Sequence, residues 1–225
     1  MRIYKNIILI GTSHISKESI KEVESTITAE FPDLICLELD SQRLPGLISN
    51  QKRKLRASDV FRIGFKGFLF NLIGAYAEKK LGEVVNVKPG SEMKKAYQLA
   101  RKYKIKLALI DQPINITLKR LSKSITFKEK MTFIKELITS PFKKQKLKFD
   151  LTKVPNEKII TELLGETKKK YPSIYRTLIT ERNEYMAKSL YKLMFNHNKI
   201  VAIIGAGHEK EIIELIKNES NKKRG

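Results

Sequence analysis

This 225-residue sequence predicts an α/β fold: a mostly parallel central sheet of at least four strands, flanking helices and a large helical insertion. Three observations carry that expectation. Short apolar, β-branched runs recur at 6–10, 34–39, 105–110 and 199–204. The first two are separated by a stretch of helical periodicity, about the length that a right-handed crossover between parallel strands needs. The long interval between the third and fourth runs is helical in pattern throughout.

"NIILI" (6–10) reads as the first strand, and 16–31 follows as a helix with Ile20, Val23, Ile27 and Phe31 on one stripe and Ser16 and Ser19 as candidate caps. Pro32-Asp33 ends it, and "LICLEL" (34–39) is the second strand. From 41 to 104 the period is helical, with a loop at 85–91 and an amphipathic helix at 91–104 that places Met93, Ala96, Tyr97 and Ala100 on one side. "IKLALI" (105–110) forms the third strand and turns at "DQP" (111–113). Residues 115–148 read as one or two helices broken at 140–141, and 156–196 as two more divided near 171–173. A fourth strand at 199–204 and a helix at 209–218 close the chain. The organisation expected is a single domain over 1–225 with a helical insertion at about 115–196 and a basic tail at 219–225 that frays.

A chain of this length buries enough apolar surface to need no disulfide. Its one cysteine, Cys36, lies in the second strand and reads as a small core residue. The start carries no signal-peptide pattern, and the most apolar stretch elsewhere (67–77) is 11 residues long, too short for a bilayer. The localisation expected is therefore cytoplasmic or peripheral at a membrane. The formal charge is +21, concentrated at 52–66 and at 119–153, where eleven basic residues face three acidic ones. Such a field attracts an anionic membrane surface, an acidic or membrane partner, or nucleic acid. Nucleic acid ranks last, because no binding motif is present and aromatics do not interleave the lysines. The stretch 67–77 reads as core, a dimer contact or a docking stripe.

The chemistry gathers at the predicted strand ends. In open α/β sheets ligands bind outside the carboxyl ends of the parallel strands. Beyond the first strand stands "GTSH" with Gly11 and His14; at the second, Glu38 and Asp40; beyond the third, Asp111; beyond the fourth, "GAGH" with Gly205 and His208. Two of the three histidines share one local frame, and His197 reads as a loop residue. The glycines permit sharp exits from a strand and close approach by a ligand. There is no G-x-x-x-x-G-K-[ST], and "GAGHEK" lacks the third glycine of a dinucleotide fingerprint. Two imidazoles with one or two carboxylates suffice to hold a divalent ion of the manganese, cobalt or zinc type, or to run metal-free general-base chemistry. Turn-filling histidines are the plain alternative. Glu92 falls in the first turn of a helix, where capping and catalysis both suit a carboxylate. "TERNEYM" (180–186) is either a solvated face or a source of Arg182 and Asn183 for the site.

Six blocks in order resemble the TraB/PrgY pheromone-shutdown family, related to Tiki, GumN and the erythromycin esterase/ChaN-like proteins: "GTSHIS", "PDLICLELDSQRL", "GSEMKKAYQLA", "LIDQPINITLKRL", "ERNEYMAKSL" and "VAIIGAGHEKEI". The resemblance implies a site lined by His14, Glu38, Glu92, Arg182 and His208, with Asp40, Arg43 and Asp111 in matching blocks. In the mechanism expected at that site, His14, His208 and Glu38 hold a metal or its water, Glu92 is the general base or acid, and Arg182 steadies developing oxyanion charge. The resemblance implies a metal-dependent peptidase acting on a peptide or small molecule, or else a non-catalytic protein that sequesters a peptide or regulates a partner at the membrane surface. Gln112 stands where the pattern leads one to expect arginine, and many relatives continue into C-terminal membrane helices.

Overall fold

The computed structural model describes residues 1–13, 16–49, 90–139 and 157–222. Five strands form one sheet: β1 (Arg2–Tyr4), β2 (Ile7–Thr12), β3 (Leu34–Leu37), β4 (Lys106–Leu109) and β5 (Ile200–Gly205), in the order β1-β2-β5-β3-β4. β2, β5, β3 and β4 are mutually parallel, as the four runs predict. β1 was not among the predicted strands. It pairs antiparallel with β2 across a two-residue turn in which Lys5 takes φ 51°. Three residues with partial exposure carry too little alternation to register as a strand.

The helices are α1 (Lys17–Glu30), α2 (Leu44–Ile48), α3 (Ser91–Lys102), α4 (Ile114–Ser124), α5 (Phe127–Thr139), α6 (Glu157–Lys170), α7 (Pro172–Tyr175), α8 (Glu181–Leu193) and α9 (Ala206–Lys222); a π-helical turn, Arg176–Thr180, leads into α8. Both faces of the sheet are covered, which is why its central strands are apolar without alternation. Ile8, Ile10, Ile35, Leu37, Val201 and Ile203 point to α1 and α3. Ile7, Leu9, Cys36, Ala202 and Ile204 point to α8 and α9, where Met186, Leu190, Ile212 and Ile216 meet them. Cys36 is fully buried there, and burial pushes its thiol far up, in keeping with a core role.

Several boundaries differ from the sequence reading for local reasons. The stretch after β4 breaks at Ile125-Thr126: Thr126 and Glu129 form a reciprocal capping box, with the Thr126 N–H donating to Glu129 Oε2 (2.8 Å) and the Glu129 N–H to Thr126 Oγ1 (3.3 Å). α9 begins at Ala206 rather than at 209 and runs through Lys222, so part of the expected tail is helical. Ser220 is buried there and accepts from Lys5 Nζ at 3.1 Å. The basic cluster at 52–66, the apolar stretch at 67–77, the loop at 85–89 and the break at 140–141 lie outside the described residues.

Candidate functional site at the C-terminal edge of the sheet

The insertion of β5 between β2 and β3 sets the geometry of the site. Thr12 pairs with Gly205, and the ladder continues past β3, with the Glu38 N–H donating to Ile203 (3.0 Å) and the Asp111 N–H to Leu39 (3.2 Å). The residues after β5, β3 and β4 therefore leave the sheet side by side. The Gly205 N–H donates to Glu38 Oε2 at 2.6 Å. Gly11 makes the neighbouring close approach: a Cβ there would stand 2.7 Å from Glu209 Oε2.

One ion-pair network joins these ends. Asp40 accepts from Arg43, whose Nη2 donates onward to Asp111 Oδ2. Arg182 reaches in from α8: its Nε donates to Asp111 Oδ1 (3.0 Å), its Nη2 to Asp111 Oδ2 (2.8 Å) and to Glu38 Oε1, and its Nη1 to the Leu178 carbonyl (3.1 Å). Glu38, Asp40 and Asp111 are all buried. Burial works against the Arg182 charge, but the hydrogen bond to Asp111 and the field of Glu38 outweigh it, holding the guanidinium well above its ordinary pKa. Asp40 also caps the following turn, accepting from the Gln42 N–H at 2.8 Å. Gln112 replaces the expected arginine by donating to the buried Thr117 hydroxyl at 2.9 Å, while Arg43 and Arg182 supply the positive charge.

The network ends on His208, in the first turn of α9 rather than in the loop before it. Its Nε2 lies 3.4 Å from Glu38 Oε1, and its Nδ1 meets Asn183 Oδ1. Asn183 Nδ2 donates to Glu211 Oε2 at 2.7 Å. Asn183 is fully buried and Arg182 half-buried, so the charged run "TERNEYM" turns inward at Arg182 and Asn183 and is a surface at residues such as Tyr185. The π-helical turn immediately before α8 advances the register there, a device frequent at functional sites.

Of the predicted residues, Glu38, Asp40, Arg43, Asp111, Arg182, Asn183, Gly205 and His208 are thus brought into one contiguous cluster. Glu92 is buried in the first turn of α3, after Gly90 at φ 80°. His14 lies outside the described residues. His197 sits at the opposite edge, its Nδ1 3.1 Å from Asp33 Oδ2. The sequence reading missed Glu211 and the π turn. Glu211 carries a signal: it stands three residues after His208, one helical turn along the same face, but the predicted helix begins at 209 and leaves His208 outside it.

Among the described residues, three carboxylates, Glu38, Asp40 and Asp111, face two guanidiniums, and His208 Nε2 lies on the Glu38 side of that cluster. Two ligands of a tetrahedral ion at ~2.0–2.1 Å stand about 3.3 Å apart, so the His208–Glu38 spacing fits one edge of such a site. Among the described residues no group of three His, Cys, Asp or Glu side chains is arranged to hold a metal. The described cluster therefore supplies two donors, and His14 is the third in the sequence reading. Among the same residues, no helix is long and apolar enough to cross a membrane.

A sheet edge carrying buried carboxylates, paired arginines and an oriented histidine defines an α/β protein with a polar site at its strand ends. The chain belongs to the TraB/PrgY/gumN family, whose model matches residues 4–221. It is similar to an uncharacterized protein of Methanocaldococcus jannaschii, 43% identical over 96% of this chain and 54% of that protein. It is 26% identical to TraB domain-containing proteins of Mus musculus and Homo sapiens, over 81% of this chain and 51% of each of theirs. The chain spans about half the length of these relatives.

Proposed function

We propose that this chain is a hydrolase of amide or ester bonds, a divalent-metal-dependent peptidase, with its reactive centre between His208 and Glu38. The observation that carries the reading is His208 Nε2 facing Glu38 Oε1 at 3.4 Å while Asn183 occupies the other ring nitrogen. His208, Glu38 and His14 would hold the ion, which when bound supplies a water acidified toward neutral pH.

The chain's own groups have separable tasks. Glu38 takes the Gly205 N–H on one oxygen and Arg182 on the other, so it acts as a fixed anionic ligand and is poorly placed to shuttle protons. Arg182 commits four hydrogen bonds to Asp111, Glu38 and Leu178, out of five N–H groups. Its task is to position Glu38, in place of the oxyanion role expected from the sequence. Glu92, in the first turn of α3, is the proton carrier of this reading.

The test is elemental analysis of purified protein together with hydrolysis of a mixed peptide library, with and without chelator. Bound divalent metal and cleavage lost on chelation and in His208→Ala are expected. Metal-free protein whose cleavage survives His208→Ala and Glu38→Gln would remove the reading.

A further inference from the structure

We infer that Glu211 is a positioning residue that sets which ring nitrogen of His208 carries the proton, acting through Asn183. An ionised carboxylate only accepts, so the Asn183 amide must present its NH2 group to Glu211 Oε2, 2.7 Å away. That fixes the other end of the amide: its carbonyl oxygen faces His208 Nδ1. A carbonyl also only accepts, so Nδ1 carries a hydrogen, and Nε2 is the ring nitrogen on the side of Glu38.

Asn183 is 0% exposed and His208 7%, so little water is available to substitute for either contact. Asn183 could donate or accept toward His208 with equal ease, because its two ends have the same shape. Nothing in the pair itself chooses. Glu211 makes the choice from the next turn of α9, on the same helical face as His208. The consequence for chemistry rests on the hydrolase reading, but the assignment of the proton does not.

The experiment is long-range 1H–15N correlation of His-labelled full chain, with His208 assigned by its loss in His208→Gln. Wild type is expected to show His208 protonated on Nδ1. Glu211→Lys offers donors and no acceptor, so the Asn183 carbonyl turns to it, its NH2 group turns to His208, and the proton moves to Nε2. Adding Asn183→Asp restores an acceptor opposite Nδ1 and is expected to return the proton there. An unchanged Nδ1 proton in Glu211→Lys overturns the inference, as does failure of the double variant to restore it in a folded protein. On a peptide the wild type cleaves, Glu211→Lys is expected to lower kcat about 10–100-fold with KM little changed, the usual loss when a ligand's supporting contact is removed. Wild type that cleaves nothing while the proton still moves would sink the hydrolase reading and leave the Glu211 assignment standing. Cleavage without proton movement does the reverse.

Discussion

Replacing Arg182 by methionine tests the network most directly. The substitution keeps much of the side-chain volume and removes all four hydrogen bonds of the guanidinium. Asp111 retains Arg43 and the Gln112 N–H, and Glu38 retains the Gly205 N–H and His208. What is lost is, among the described residues, the one cation touching both carboxylates, whose side chains are 1% and 4% exposed. Breaking a buried pair from one side costs about 3–5 kcal/mol, because the remaining charge stays desolvated. For a chain of this size each kcal/mol moves Tm by roughly 2–4 °C, so a fall of about 6–20 °C is expected. Urea and thermal unfolding at pH 7 measure it. The Arg182 pKa is raised in the fold, so its contribution is complete below the ordinary arginine value and is lost only as pH rises beyond it. The deficit should therefore be flat from pH 6 to 9. It should also change little between ~0.05 and 0.5 M salt, since buried pairs are weakly screened. Glu38→Gln in the same chain should recover part of it. A cost below about 1 kcal/mol, or one that salt halves, would show a solvated pair and refute the buried-network argument.

Three further outcomes follow from the geometry. Burial raises the Glu129 carboxyl, but hydrogen bonds from Thr126 and Ser173 outweigh it, leaving the group below its ordinary 4.5. Its stabilisation is thus present above pH 4.5 and lost as pH falls through the lower folded value; Glu129→Gln should cost about 1 kcal/mol at pH 7 and progressively less as pH falls below 4.5, as denaturant titration across that range will show. Gly11→Ala should destabilise by about 1–3 kcal/mol through contact with Glu209, with recovery in Gly11→Ala/Glu209→Ala, whereas Gly207→Ala, with nothing nearer than 3.8 Å, should be neutral or gain up to about 1 kcal/mol of helix propensity; melting curves for the four proteins decide. Cys36 is 0% exposed with a strongly raised thiol, so thiol reagent should label it only at the rate of unfolding; fast native labelling would contradict its place in the core.

Much of this molecule was legible from local pattern alone. The four parallel strands follow from unbroken apolar runs, because a strand covered on both faces has no polar side to alternate with. Glu38, Asp111 and His208 were placed together by one rule, that the strand ends of an α/β sheet share an edge. What the sequence could not decide is order and rotation. Only the sheet places β5 between β2 and β3 and so sets the Gly205 N–H on Glu38; strand order depends on how long segments pack, which no local window contains. Only the tertiary structure shows the π turn that leads into α8 just before Arg182 and Asn183, since no residue type in that stretch spells the change of hydrogen-bond register. The histidine itself was evident in the chain; its Glu211-set proton position belongs to the packing of α9 against α8, two helices whose contact is tertiary.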